Sequence, residues 1–272
     1  MPTALITGCS SGIGQDAAGF LRARGWRVLA TARKREDVAR LQAAGFESFV
    51  LDLADEASVA AGAREAIARG PVDALVNNGA FALPGAVEDL PRGALREIFE
   101  TNLFGTHDLT RAMIPHFRAQ GAGRIVNISS VLGLIGARWR GAYVATKYAM
   151  EGLTDVLRLE MADTPIKVVL VEPGPITSRM RRNAIPHFER WIDWQASPRA
   201  EQYRRTLLKR LYEPKGPDRF ELPPSAVSTV ILRALEAPSP RARYVVTTPT
   251  RVVAVARRVL PDRALDWMAR RG

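Results

Sequence analysis

The most constraining feature of the chain lies near its start, where the aliphatic run Ala4 to Thr7 passes directly into Gly8-Cys9-Ser10-Ser11-Gly12-Ile13-Gly14 and then into an Ala-rich helical stretch ending near Gly25. A strand feeding a helix through a turn this rich in glycine is a phosphate-binding device. Glycines let the backbone bend and come close to a pyrophosphate, while free amides and the dipole of the helix N-terminus attract its charge. Gly8, Ser10, Ser11, Gly12, Ile13 and Gly14 are therefore candidate cofactor contacts. The spacing is GxxxGxG, unlike the common GxGxxG fingerprint, and no Gly-Lys-Ser/Thr follows that would make a nucleotide-hydrolysing loop.

That first unit opens a rhythm. Short β-branched or aliphatic runs at Ala4 to Thr7, Arg27 to Thr31, Phe49 to Leu51, Ala74 to Val76, Arg124 to Ile128, Lys167 to Val171 and Tyr244 to Thr247 alternate with helical stretches. Runs apolar on both faces and separated by amphipathic helices belong to a mostly parallel sheet covered on both sides. The expectation is an α/β fold: one doubly wound Rossmann-type domain over residues 1–272, with a seven-stranded sheet. The rhythm fails at 178–222, an insertion rich in Arg, Trp and Tyr and expected to form a helical substrate lid. Residues 249–272 read as a basic amphipathic tail helix.

Twenty-eight acidic residues face 39 Lys and Arg, for a formal net charge of +11. The basic residues are spread along the chain and no run interleaves them with aromatics, so a nucleic-acid groove is not expected. The single cysteine, Cys9, cannot form an intramolecular disulfide, and His107, His116 and His187 lack metal-ligand spacing with it or each other. No signal peptide or membrane-spanning stretch is read, which gives a cytoplasmic expectation.

Arg33 follows the second strand, where an acidic residue would bind the ribose hydroxyls of NAD; an arginine there grips a 2′-phosphate, which points to NADP(H) over NAD(H). Asp52 and Leu53, after the third strand, are candidate adenine contacts. Further on, Tyr143 and Lys147 stand four apart on one helical face, so that the ammonium can favour phenolate and make Tyr143 an acid/base near neutrality. Ser130 ends the fifth strand, where doubly wound folds place ligands. Asn102 is a polar residue inside an otherwise apolar helical pattern, and Asn77-Asn78-Gly79-Ala80 follows the fourth strand.

Taken in order, these positions resemble the main, single-domain branch of the short-chain dehydrogenase/reductase family over nearly the whole chain. TGxxxGIG matches Thr7 to Gly14, the active-site Asn matches Asn102, the Ser matches Ser130, and YxxxK matches Tyr143 and Lys147. The PG motif matches Pro173-Gly174-Pro175-Ile176. The resemblance implies that Tyr143 exchanges the substrate proton and Ser130 holds the carbonyl oxygen. It implies further that Lys147 binds the nicotinamide ribose and tunes Tyr143, while Asn102 organises a water between Lys147 and solvent. Asn78 would meet the adenosine ribose, and Pro173, Gly174, Ile176 and Ser178 the nicotinamide end. Two departures stand out: Asn-Asn-Gly-Ala where the family has Asn-Asn-Ala-Gly, and Ser178 where it has Thr.

Phe81, Leu132, Trp139 and Trp191 are expected to line a site for a lipophilic aldehyde, ketone or alcohol, similar to retinol and 17β-hydroxysteroid dehydrogenases. Partners are then a small lipophilic substrate and further copies of the chain, as homodimer or homotetramer, with peripheral membrane contact open to the tail. An NADP(H)-binding redox sensor without turnover is the alternative from another class. An epimerase or dehydratase of the extended branch fits less well, because that branch carries a larger C-terminal substrate domain.

Overall fold

The computed structural model describes residues 1–213 and 216–271. Seven strands form one sheet in the order β3-β2-β1-β4-β5-β6-β7. They are β1 (Thr3–Ile6), β2 (Arg27–Ala32), β3 (Glu47–Val50), β4 (Ala74–Asn77), β5 (Gly123–Ile128), β6 (Ile166–Glu172) and β7 (Arg243–Val245). Every neighbouring pair is parallel, so the sheet is wholly rather than mostly parallel. The chain first winds outward from β1 to β3 and then returns to lay β4 on the other side of β1. This reversal opens a crevice at the carboxyl ends of β1 and β4, the place where open α/β sheets bind ligands.

The alternation of buried side chains above and below the strands is what fixes the layers. On one face Ala4, Ile6, Val28, Ala30 and Val126 pack with Ala17, Ala18 and Leu21 of α1 (Gly12–Arg22), and with Val227, Ile231 and Leu235 of a later helix. On the other, Leu5, Leu29, Leu75 and Ile125 meet helices crossing behind the sheet. Helix α2 (Arg35–Ala43) covers the β2–β3 edge, while α3 (Glu56–Ala68), α4 (Arg92–Phe99), α5 (Gly105–Ala119) and α6 (Gly141–Glu160) supply the second layer. Burial of this order, at roughly 25 cal/mol per Å² of apolar surface, needs no disulfide, and Cys9 is free and buried.

Helices α4 and α5 are one continuous rod interrupted by a π-helical turn at Glu100–Phe104. A third cluster lies beyond the strand ends, where the insertion packs on the main body. Phe188 and Ile192, on and just after α7 (Met180–Trp191), join Tyr203, Leu207 and Leu211 against Leu83, Ile98 and Tyr143. Short helices α8 (Ala200–Gln202) and α9 (Lys209–Tyr212) flank a second π-helical turn, Tyr203–Leu208. The chain then returns through α10 (Ser225–Glu236) to β7. The tail is two helices rather than one, α11 (Thr248–Val259) and α12 (Asp262–Arg271), separated at Leu260-Pro261 because proline cannot continue a helix hydrogen-bond ladder. Arg257 pins α11 down by donating to the carbonyls of Gly133 and Leu134.

Candidate active site

The phosphate loop is built so tightly that it admits only glycine at several positions. Gly8 and Gly12 have φ of +71° and +59°, left-handed values that favour glycine. A Cβ on Gly14 would come 2.4 Å from the Gly8 carbonyl oxygen and from Asn78 Nδ2. Asn78 is the brace: its Nδ2 donates to the carbonyls of Thr7 at 3.0 Å and Gly8 at 3.2 Å. Thr7 Oγ1 in turn accepts from the amides of Asn78 and Gly79. Arg40 holds the other side through the Ser10 carbonyl.

The shifted glycine has a steric reason. A Cβ at Gly79 would stand 2.7 Å from Leu53 Cδ1, and one at Gly8 would stand 2.7 Å from the Gly79 Cα, so Gly79 is the residue that lets this loop lie on the phosphate turn. Leu53 is correspondingly buried in packing, and Asp52 closes a local turn by accepting from the Ala54 amide. Ser178 lies over the phosphate loop, with its Cβ 3.5 Å from where a Gly12 Cβ would be. Gly174 fits against Thr247 and Thr250, whose hydroxyls would meet its Cβ at 2.1 and 2.6 Å. Thr247 is the N-cap residue of α11 and Thr250 lies in its first turn, where no local sequence pattern marks them as part of the site.

Tyr143 and Lys147 occupy successive turns of α6, both buried, with Lys147 Nζ 5.6 Å from the centre of the phenol ring. The ammonium donates to the Ile128 carbonyl at 2.7 Å, which ties it to the end of β5. Burial pushes its pKa down to about 8, against the opposing pull of Glu151 one turn on. The phenol is also dominated by burial, which raises it to about 12, while the Ser130 hydroxyl and the charge of Arg140 draw it down. Arg140 thus adds a second cation beside the phenol to the Lys147 ammonium one helical turn on, whose bond to the Ile128 carbonyl uses one of its three protons.

Ser130 and its neighbour separate cleanly. Ser130 Oγ accepts the Leu132 amide and stands beside Tyr143, whereas Ser129 is turned toward Glu151. Asn102 lies in the π-helical turn, an irregularity that re-aims side chains. Its Oδ1 accepts the Phe81 amide and its Nδ2 donates to the Phe81 carbonyl, with Thr146 Oγ1 3.3 Å away. The side chain clamps the loop after β4 to the π-helical turn.

Above these groups opens a cavity of about 2190 Å³ lined by Ser130, Tyr143, Lys147, Pro173, Gly174, Ile176 and Ser178 at its floor and by Leu132, Ile135 and Trp139 at its walls. Two expected substrate contacts are not among its lining residues. Phe81 stacks on His187 with ring centres 4.0 Å apart. Trp191 covers Gly93 and donates its indole N–H to Glu97, so its polar edge is used in holding α7 to α4. Trp139, which does line the cavity, has φ +65°, an unusual value for a bulky residue and of a kind that clusters at binding sites.

Residues 2–188 match the family model described as short chain dehydrogenase. The chain belongs to that family. It is 39% identical over 264 residues to an Escherichia coli protein named uncharacterized oxidoreductase YbbO, covering 96% of this chain and 91% of the relative. Human 17-beta-hydroxysteroid dehydrogenase type 1 is 32% identical over 257 residues, covering 89% and 76%. A short-chain dehydrogenase from Streptomyces avermitilis superposes with a TM-score of 0.78 at 31% identity, over 94% of this chain and 91% of that one. The dehydrogenase thus shares an alcohol and carbonyl oxidoreductase family with relatives that span nearly its whole length. Among the described residues no helix is long and apolar enough to cross a membrane, and no cluster of His, Cys, Asp and Glu could hold a metal ion.

Proposed function

We propose that this dehydrogenase interconverts a lipophilic aldehyde or ketone and the corresponding alcohol with NADP(H) as the hydride partner. The observation that carries this is the convergence of Ser130, Tyr143 and Lys147 on the floor of one cavity, beside a glycine cradle that excludes a Cβ at Gly8 and Gly14. A dinucleotide fits that cradle: Gly8 to Gly14 would take the pyrophosphate, Asn78 and Lys147 the ribose side, and Pro173, Gly174, Ile176 and Ser178 the nicotinamide end. Bound there, the cofactor supplies or accepts the hydride at the carbonyl carbon.

The protein's own share is proton chemistry. In reduction, Tyr143 donates its hydroxyl proton to the carbonyl oxygen while the Ser130 hydroxyl hydrogen-bonds that oxygen as charge builds on it. A phenol held near 12 is fully protonated at neutral pH, the right starting state for a proton donor. The phenolate left behind is steadied by the Ser130 hydroxyl and the charges of Arg140 and Lys147, and it regains its proton from solvent. Leu132, Ile135 and Trp139 exclude water around the reacting carbon.

Lys147 gives this scheme a pH signature. With its pKa lowered to about 8, it carries its charge below that pH and loses it above. We expect kcat/KM for reduction to be level at neutral pH and to fall above pH about 8, and the break to be absent in Lys147→Arg, whose charge persists. A wild-type profile flat through that region contradicts the role.

The choice of cofactor rests on Arg33. It is exposed directly after β2, and no hydrogen bond or ion pair engages it among the described residues, whereas neighbouring Lys34 pairs with Glu36. A free guanidinium at that position suits a 2′-phosphate. Arg33→Ala is expected to lower kcat/KM with NADPH by about 10–100-fold, the worth of a charge-assisted hydrogen bond, with little change for NADH. Equal use of both cofactors by the wild type would contradict the preference.

Turnover is tested by following NADPH absorbance against a panel of apolar carbonyl compounds. NADPH binding without any oxidation across that panel would favour the redox-sensor reading instead. Leu153, Val156 and Leu159 form an exposed apolar stripe on α6, which suits a homodimer or homotetramer. Light scattering on the purified protein should give a mass of two or four chains, and a monomer contradicts the assignment.

A further inference from the structure

The outer part of the cavity has an electrostatic character that a purely lipophilic substrate would not explain. Arg138, Arg140, Arg181, Arg182 and Arg210 all line it. The acids lining the same cavity are already engaged: Glu88 pairs with Arg199, Asp218 lies 3.7 Å from Arg210, and Glu221 accepts from the Asp218 amide. Arg140 and Arg181 have neither an ion pair nor a side-chain hydrogen bond among the described residues.

Arg140 is the most constrained of the set. Its backbone is fixed by the bridge between Gly85 and Arg140 and by the Gly85 amide bonding to the Trp139 carbonyl. It caps the start of α6 three residues before Tyr143, half-buried at the cavity wall. Burial pulls its guanidinium down to about 10, and the charges of Arg210 and then Arg181 add to that, while Tyr143 opposes them. A cation held against desolvation and two like charges is costly unless an anion completes it. An apolar wall on one side and uncompensated guanidinium groups on the other describe a pocket for an amphipathic ligand.

We propose that Arg140 and Arg181, supported by Arg210, form an anion subsite that receives a carboxylate or phosphate carried by the carbonyl substrate. The substrate class is then an oxo acid or oxo-alkyl phosphate with an aliphatic body, rather than a neutral retinoid or steroid. Guanidinium forks match both head groups, so the chemistry shared is a planar or tetrahedral oxyanion. This inference rests on the carbonyl reductase reading above, because it assumes that the carbonyl end lies at Tyr143.

The test compares matched compounds with the full chain. Steady-state NADPH oxidation is measured with decanal, ω-oxodecanoate and ω-oxodecyl phosphate. In parallel, calorimetry on the NADPH-loaded protein measures binding of decanol, decanoate and decyl phosphate, which cannot be reduced. We expect kcat/KM at least about tenfold higher for one or both anionic aldehydes than for decanal. Arg140→Gln and Arg181→Gln should each lower that value more for the anionic compounds than for decanal, and calorimetry should show the same discrimination without chemistry. Whichever anion is preferred distinguishes carboxylate from phosphate. Turnover of decanal equal to that of both anions, with no preference in binding, overturns the anion subsite and leaves the reductase standing. Selective binding of decanoate or decyl phosphate with no turnover of any aldehyde supports the subsite and overturns the reductase.

Discussion

Tyr143→Phe is expected to lower carbonyl reduction by about 10³-fold, within the range that a positioned proton donor contributes, while the protein still folds and binds NADPH. The substitution removes one oxygen from a buried side chain that otherwise packs with Leu83, Ile98 and Phe188. The ring's apolar contacts are kept, so stability should change little. The cofactor cradle at Gly8 to Gly14 and Arg33 belong to the segments after β1 and β2 and keep all their side chains. Binding followed by tryptophan fluorescence, together with NADPH oxidation, separates the two effects. Retained turnover in Tyr143→Phe would mean that another group delivers the proton.

Gly105→Ala is expected to be the most damaging single-methyl addition in the molecule. A Cβ there would stand 1.8 Å from the Leu53 carbonyl oxygen and 2.6 Å from its carbon, and both belong to backbone that cannot swing aside. Forcing α5 away from the loop after β3 should cost about 1–3 kcal/mol or more, typical of overpacking in a tight core. It also displaces the adjoining π-helical turn from which Asn102 clamps Phe81. Thermal unfolding should fall by several degrees and turnover should drop with it. Gly19→Ala is the control: nothing lies within 4 Å of the added methyl and the position is inside α1, so stability should hold or rise by up to about 1 kcal/mol. Equal unfolding temperatures for the two variants would contradict the packing argument.

Much of this molecule is legible in its sequence, because the physics is local. Runs such as Lys167 to Val171 are apolar on both faces and can only be central strands. The glycines at 8, 12 and 14 mark a turn that few other backbones need, and the four-residue step from Tyr143 to Lys147 fixes a shared helix face. What escaped is what depends on distant partners. No local pattern shows that Asn102 would sit in a π-helical turn and spend its amide on Phe81, or that the Trp191 indole would be used by Glu97. Composition recorded the excess of arginine, but only folding brings Arg140, Arg181 and Arg210 from three separate segments to one cavity. The network in which Asn77 bonds Thr110 and Asn127, and Asn127 bonds Thr154, is equally invisible beforehand. It joins β4, β5, α5 and α6 beneath the site through buried side-chain hydrogen bonds that hold these four elements in one packing.

The account stands on hydride transfer in a cavity where Tyr143 handles the proton, and an isotope label tests this directly. NADPH carrying deuterium at the reactive position of the nicotinamide should be incubated with the protein and an aliphatic oxo acid, and the alcohol analysed by mass spectrometry. The account predicts one deuterium on the former carbonyl carbon of the wild-type product, and almost no product from Tyr143→Phe in the same time. Alcohol formed without the label, or labelled equally fast by the variant, would contradict it.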